Sequence, residues 1–185
     1  MTMTLLLGGA RSGKSALAVD LGRRHARDGG RGREVVYIAT APHVDDDMTR
    51  RIEMHRADRP ATWRTIEEET DIDAAIDRSG DALAIVDCLT LWTSNLLWTG
   101  LGDDDVVERA RHVATRAAAR AAPTIAISNE VGLGVHPDTD LGLRYRDLLG
   151  RVNQIWAAAA TTTLLLVAGR AIALDDPLTL LGLEP

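Results

Sequence analysis

Phenylalanine is absent from the 185 residues, and Trp and Tyr bring the aromatic share to only 3%. Leu, Val, Ile and Ala must therefore build the core, and a hydrophobic content of 45% supplies enough of them. Cysteine occurs once, at Cys88. That excludes an internal disulfide and fits a reducing cytosol, so a cytoplasmic protein is expected. No apolar run reaches the ~18 residues that a membrane span needs. No basic stretch precedes the first apolar run, so no signal peptide is expected either. An excess of positive charge is also lacking: the formal net charge is −6. This argues against nucleic acid as a partner, because a phosphate backbone demands a basic face. Internal repeats, linkers and low-complexity segments are missing, and residues 1–185 read as one domain.

What is present is concentrated first in Gly8-Gly9-Ala10-Arg11-Ser12-Gly13-Lys14-Ser15. This is the phosphate-binding loop pattern G-x-x-x-x-G-K-S. The apolar run Met3 to Leu7 before it reads as a buried strand, and Ser15 to His25 after it reads as a helix. Strand, glycine loop and helix are the context the motif requires. Glycines let backbone N–H groups turn inward around phosphate oxygens, and the helix N-terminus adds partial positive charge. In such a loop Lys14 reaches the outer phosphates and the Ser15 hydroxyl binds Mg²⁺.

Further strands are expected at Glu34–Ala39, in a short extended piece at Ala61–Ile66, and at Ala82–Val86, Thr124–Ser128 and Thr162–Val167. A sixth full strand at Arg170–Leu174 is an open expectation. Helices are expected to start at Glu67-Glu68-Glu69 and to span Leu89–Trp98, Val106–Ala121 and Leu141–Ala160, with Gly100–Asp105 as an acidic turn. The apolar Leu89–Trp98 helix, with Trp92 and Trp98, reads as core or subunit interface. This alternation predicts an α/β, three-layer P-loop NTPase-like fold, a mostly parallel central sheet flanked by helices.

Two other places carry chemistry. Asp45-Asp46-Asp47 opens a helix expected to run to about Asp58, with Pro60 stopping it. Asp47, Arg51 and His55 share one face of that helix, and Arg56 and Arg59 follow, so positive charge gathers around one imidazole. The alternative is a solvated charged helix. Asp87, closing a buried strand downstream of the phosphate loop, reads as the second half of a Mg²⁺ site beside Ser15. The alternative there is a simple cap.

Taken together, the segments resemble the bifunctional adenosylcobinamide kinase / adenosylcobinamide-phosphate guanylyltransferases of cobalamin biosynthesis. The matching pieces are GGARSGKS at Gly8–Ser15, YIATA at Tyr37–Ala41 and DDDMTRRIEMHRADRPATWRTIEE at Asp45–Glu68. VDCLTLWTSNLL at Val86–Leu97, SNEVGLGVHP at Ser128–Pro137 and YRDLLGRVNQ at Tyr145–Gln154 complete them. The resemblance implies two reactions. One phosphorylates the aminopropanol hydroxyl of adenosylcobinamide with ATP or GTP. The other moves GMP from GTP onto that phosphate through a GMP–histidine intermediate. By the motif the histidine is His55, and Met54 stands where some relatives have a second histidine. Ala39, Thr40 and Ala41, then Arg56, Ala57, Asp58 and Arg59, then Glu67, are implied as guanine-nucleotide contacts. Asp87 holds the family's acidic strand-end position, with metal and nucleotide contact both open. Glu130, Arg144, Tyr145, Asn153 and Gln154 match without an assigned task. Arg144 and Arg146 either attract the corrinoid phosphate or form a solvated face. The family also implies a homo-oligomer.

Two rival readings remain. One is a monofunctional P-loop kinase or NTPase with His55 structural. The other is a nucleotide-binding switch or assembly protein, because a phosphate loop alone does not fix function.

Overall fold

The structure, a computed structural model, describes residues 3–28, 33–42, 56 and 59–183. Among the described residues seven strands form one sheet: β1 (Met3–Gly8), β2 (Val35–Ala39), β3 (Arg64–Glu67), β4 (Leu83–Asp87), β5 (Thr124–Ile127), β6 (Thr162–Val167) and β7 (Arg170–Leu174). Their order across the sheet is β3-β2-β4-β5-β1-β6-β7. Every pairing is parallel except the terminal β6–β7 hairpin. The helices are α1 (Lys14–Asp28), α2 (Ile72–Arg78), α3 (Leu89–Trp98), α4 (Asp103–Ala119), α5 (Asp140–Ala159) and the short α6 (Pro177–Leu180).

Strand periodicity decides which helices cover which face. Leu5, Ile38, Val86 and Ala126 point to one side, where Ile76 of α2, Trp92 of α3, Val113 of α4 and Trp156 of α5 meet them. Leu6, Tyr37, Ile85 and Ile125 point to the other, against Ala18, Leu17 and Leu21 of α1 and against Trp63. The central strands are thus apolar on both sides, as a parallel sheet with covered faces requires. Trp92 and Trp156 are the largest fully buried side chains and take the bulk that Phe supplies elsewhere. Trp92 keeps its indole N–H satisfied by donating to the Thr70 carbonyl at 2.7 Å.

The helix expected to start at Glu67-Glu68-Glu69 starts only at Ile72: Glu67 still pairs with Ala39 in β3, and Asp71 caps the helix by accepting from the Ala74 N–H. The other strands and long helices fall where the sequence places them, with two refinements. Asp103, Asp104 and Asp105 are the first turn of α4 rather than part of a turn before it. Carboxylates there oppose the positive helix end, so they start the helix. The two Trp residues of α3 also part company: Trp92 is fully buried and Trp98 is 79% exposed. Among the described residues no helix is long and apolar enough to cross a membrane. Most of the helix expected from Asp45 to Asp58, with Arg51 and His55, lies outside the described residues.

The sheet register positions the site. Glu67 pairs with Ala39, Ala39 with Asp87, Asp87 with Ile127, and Ile127 with Leu6. One line across five strands therefore brings the ends of β3, β2, β4 and β5 level with the start of the glycine loop. Open α/β sheets bind ligands at this carboxyl edge.

Candidate active site

The loop between β1 and α1 is built on backbone conformations that favour glycine. Gly8 has φ +149° and Gly13 φ +101°. A Cβ on Gly8 would also run into the Leu166 carbonyl oxygen, and it would sit 2.7 Å from Ser12 Oγ. β6 therefore presses the loop closed from behind. Lys14, the first residue of α1, is only 6% exposed. Its ammonium donates to the carbonyls of Gly8 at 2.9 Å and Gly9 at 2.7 Å, and to Ser12 Oγ at 3.3 Å. Burial pushes the Lys14 pKa down, and the nearby Asp87 and Cys88 oppose that shift.

Across from the lysine stands Asp87, the last residue of β4. Its Oδ2 accepts from the Ser15 hydroxyl at 3.0 Å and from the Tyr37 phenol. Burial, then the Asp87 charge, hold Tyr37 well above the ordinary tyrosine range, so the phenol keeps its proton to donate. The guanidinium of Arg59 lies over the Tyr37 ring, 3.4 Å from its centroid. Arg59 Nε is buried without a partner among the described residues. Phosphate loop, strand-end carboxylate and an arginine of the basic segment are thereby connected through one tyrosine.

The connection after β2 is tied down separately. Thr40 is fully buried; its hydroxyl accepts from the Cys88 N–H at 2.7 Å and donates to the Cys88 carbonyl at 2.8 Å. Asn95 donates to the carbonyls of Thr40 at 2.8 Å and Glu69 at 2.9 Å. Burial pushes the Cys88 thiol up to about 12.

These groups border a cleft of about 710 Å³. Of the residues expected at a nucleotide, Ala10, Arg11, Ser12, Gly13, Lys14, Ser15, Ala39, Ala41, Arg59, Glu67 and Asp87 line it. Gly8 and Gly9 take part through the carbonyls that hold Lys14. Thr40 spends its hydroxyl on Cys88, and Arg56 is exposed outside the cleft wall. His55, Ala57 and Asp58 lie outside the described residues. Arg144 binds Asp103 at 2.6 Å and the Leu101 carbonyl at 3.2 Å, so it pins α5 to the start of α4. Arg146 pairs with Asp147 and His136. Neither arginine lines the cleft.

Sequence reasoning missed Tyr37, Thr90 and Asn129 as cleft residues. The available signal for Tyr37 was a hydroxyl in a strand otherwise made of Val, Ile and Ala. Asn129 follows directly on the β5 strand, but nothing in the pattern gives its side chain a task.

For a cation, the described residues hold no cluster of three or more His, Cys, Asp or Glu ligands. The Ser15–Asp87 pair fits Mg²⁺ instead, which takes one or two protein oxygens and completes its shell with phosphate and water.

A glycine loop between a parallel strand and a helix, a buried lysine at the helix start and a carboxylate on a nearby strand end define a P-loop nucleotide-binding protein. Residues 4–174 match the CobU family, described as cobinamide kinase / cobinamide phosphate guanyltransferase. The chain is 38% identical over 182 residues to the bifunctional adenosylcobalamin biosynthesis protein CobU of Escherichia coli, covering 90% of this chain and 96% of that one. CobU of Salmonella typhimurium gives the same identity and coverage. CobP of Pseudomonas aeruginosa, also named a bifunctional adenosylcobalamin biosynthesis protein, is 43% identical over 169 residues, covering 89% of this chain and 92% of that one. The protein therefore belongs to the cobinamide kinase / cobinamide phosphate guanyltransferase family.

Proposed function

We propose that this protein phosphorylates adenosylcobinamide with ATP or GTP and then transfers GMP from GTP onto the resulting phosphate, releasing pyrophosphate and adenosylcobinamide-GDP. The observation that carries the proposal is the convergence of Lys14, Ser15, Asp87 and Arg59 on one cleft whose wall is the glycine loop. The Lys14 ammonium, held at the loop by the Gly8 and Gly9 carbonyls, meets the charge of a transferring phosphoryl group in this reading. Ser15 Oγ and Asp87 Oδ2 would hold Mg²⁺, which supplies charge neutralisation at the outer phosphates when bound. Tyr37 and Ser15 both donate to Asp87 Oδ2, and the Tyr37 ring gives Arg59 a surface to lie on.

Guanylyl transfer runs through His55 in this reading. An imidazole nitrogen attacks the α-phosphorus of GTP, an N–P bond forms and pyrophosphate leaves. An oxygen of the corrinoid phosphate then attacks the same phosphorus, and the N–P bond breaks. Arg56 and Arg59 offset the charge of the phosphoramidate. Exposed Ile172, Leu174, Leu178, Leu180 and Leu181 on β7 and the tail support a homo-oligomer.

The test is turnover by the full chain. Incubation with adenosylcobinamide, Mg²⁺, ATP and GTP should give a corrinoid heavier by one phosphoryl group, then one heavier by a further GMP, in the mass spectrum. Protein that binds GTP and leaves the corrinoid unmodified contradicts the proposal.

A further inference from the structure

The cleft is longer than its nucleotide-binding part. The expected nucleotide contacts Ala39, Ala41, Arg59 and Glu67 sit over β2 and β3, on one side of the Lys14–Asp87 centre. Between Asp87 and the phosphate loop the wall is made by the end of β5 and the start of α3, through Thr90, Leu91, Ile127 and Asn129. None of these four is among the expected nucleotide contacts.

Asn129 is held there unusually firmly. Ile127, two residues before it, pairs with both Asp87 and Leu6, so Asn129 emerges between the strand-end carboxylate and the phosphate loop. Its backbone N–H donates to Thr90 Oγ1 at 2.7 Å. Its carbonyl accepts from Asn153 Nδ2 at 3.0 Å. On either side, the Ser128 N–H donates to the Leu6 carbonyl at 2.9 Å and the Glu130 N–H to the Gly8 carbonyl at 3.2 Å. Both backbone groups of Asn129 are thus occupied, and its side-chain amide is what it offers to the cleft. Among the described residues that amide has no partner. Beside it, Tyr145 donates to the Thr90 carbonyl at 3.2 Å.

We propose that Asn129 binds the acceptor hydroxyl of the kinase reaction, a neutral aliphatic alcohol, and turns its oxygen toward the terminal phosphorus of the nucleotide. The inference rests on the kinase half of the function proposed above. A carboxamide suits the task because its Oδ1 accepts the hydroxyl hydrogen while leaving an oxygen lone pair free to attack. A carboxylate at this place would repel the phosphates. In the step itself a bond forms between the alcohol oxygen and the terminal phosphorus. The bond from that phosphorus to the bridging oxygen breaks, and its electrons stay on the nucleoside diphosphate. The hydroxyl proton moves to a phosphoryl oxygen of the new ester and is released to water. Asn129 orients and takes no proton.

Two substitutions test this in the full chain. Asn129→Ala removes the amide, and Asn129→Asp keeps its shape while replacing two donors by charge. Four quantities are compared with wild type: kcat/KM for adenosylcobinamide at saturating nucleotide, affinity for GTP, covalent labelling by α-labelled GTP, and melting temperature. Both variants should lose roughly 10- to 100-fold in kcat/KM for the alcohol, the scale expected when an acceptor is misplaced. For Asn129→Ala, GTP affinity and labelling should stay within twofold of wild type. Kinase kcat/KM within twofold of wild type in either folded variant overturns the assignment. Parallel loss of GTP affinity and kinase activity in Asn129→Ala also overturns it, because that marks a structural or nucleotide-binding role. An active wild type separates failure of this assignment from failure of the function reading: a wild type that binds GTP and phosphorylates no alcohol overturns both.

Discussion

Lys14 is costly to bury, and the function proposed here requires it. Its ammonium is withdrawn from water, and the fold offsets that cost with two loop carbonyls and the nearby Asp87 charge. Lys14→Ala should lower kinase turnover by ~10²-fold or more, the usual scale for removing a donor aimed at developing charge. Undiminished turnover in a radiolabelled phosphate-transfer assay would refute the loop's role. Cys88 and Tyr37 make a second residue-level case. Both have pKa values raised in the folded protein, Cys88 from 9.0 to about 12. The folded state therefore holds these protons more tightly than the unfolded chain. The resulting stability is complete below pH 9 and drains away as pH rises from 9 through 12. Melting temperature followed from pH 8 to 12 should fall on the alkaline side, and Cys88→Ser should flatten part of that fall. An unchanged slope in Cys88→Ser would contradict the burial of the thiol. Tyr37 itself was illegible as a site residue, since a tyrosine in an apolar strand reads as core. Only the fold shows that its ring is core while its hydroxyl serves Asp87.

Among the elements, α1 has two duties: its start holds the lysine and its body covers one face of the sheet. The segment that follows the arginines is anchored to it. Trp63 takes a turn bond from its N–H to the Pro60 carbonyl at 3.0 Å and packs its ring against Gly22. A Cβ on Gly22 would collide with the tip of that ring. Gly22→Ala should therefore destabilise by about 1–3 kcal/mol, the range for overpacking a rigid contact. Gly150, also inside a helix, has nothing within 4 Å of an added Cβ. Gly150→Ala should stabilise by about 0.5–1 kcal/mol, from helix propensity alone. Urea denaturation of the two variants checks the opposite signs, and equal effects would contradict the Gly22–Trp63 contact. Elements of this kind were legible because they are dense in apolar residues between turn signals, as in Leu89–Trp98 and Leu83–Val86. Their edges were less so: the acids Asp103 to Asp105 fit a turn or a helix start equally well until α4 is seen.

For the whole molecule, the alternation of strands and helices made a parallel sheet legible, and the glycine loop fixed where a phosphate goes. Strand order was not legible, because nothing local says that β5 inserts between β1 and β4. That insertion is what puts Asn129 beside Asp87 and the loop, three parts of the chain that lie far apart in sequence. Arg144 makes the converse point. Its charge suited a substrate phosphate, but the packing of α5 on α4 commits it to Asp103. The central claim is that this phosphate cleft and the arginine-bearing segment act together, with His55 carrying GMP between substrates. The measurement that tests it most directly is covalent labelling of the wild-type chain and of His55→Ala by α-labelled GTP with Mg²⁺, read by denaturing electrophoresis. Wild type should carry a label that acid removes, and His55→Ala should carry none while retaining part of its kinase activity. An unlabelled wild type, or a label that persists in His55→Ala, would contradict it.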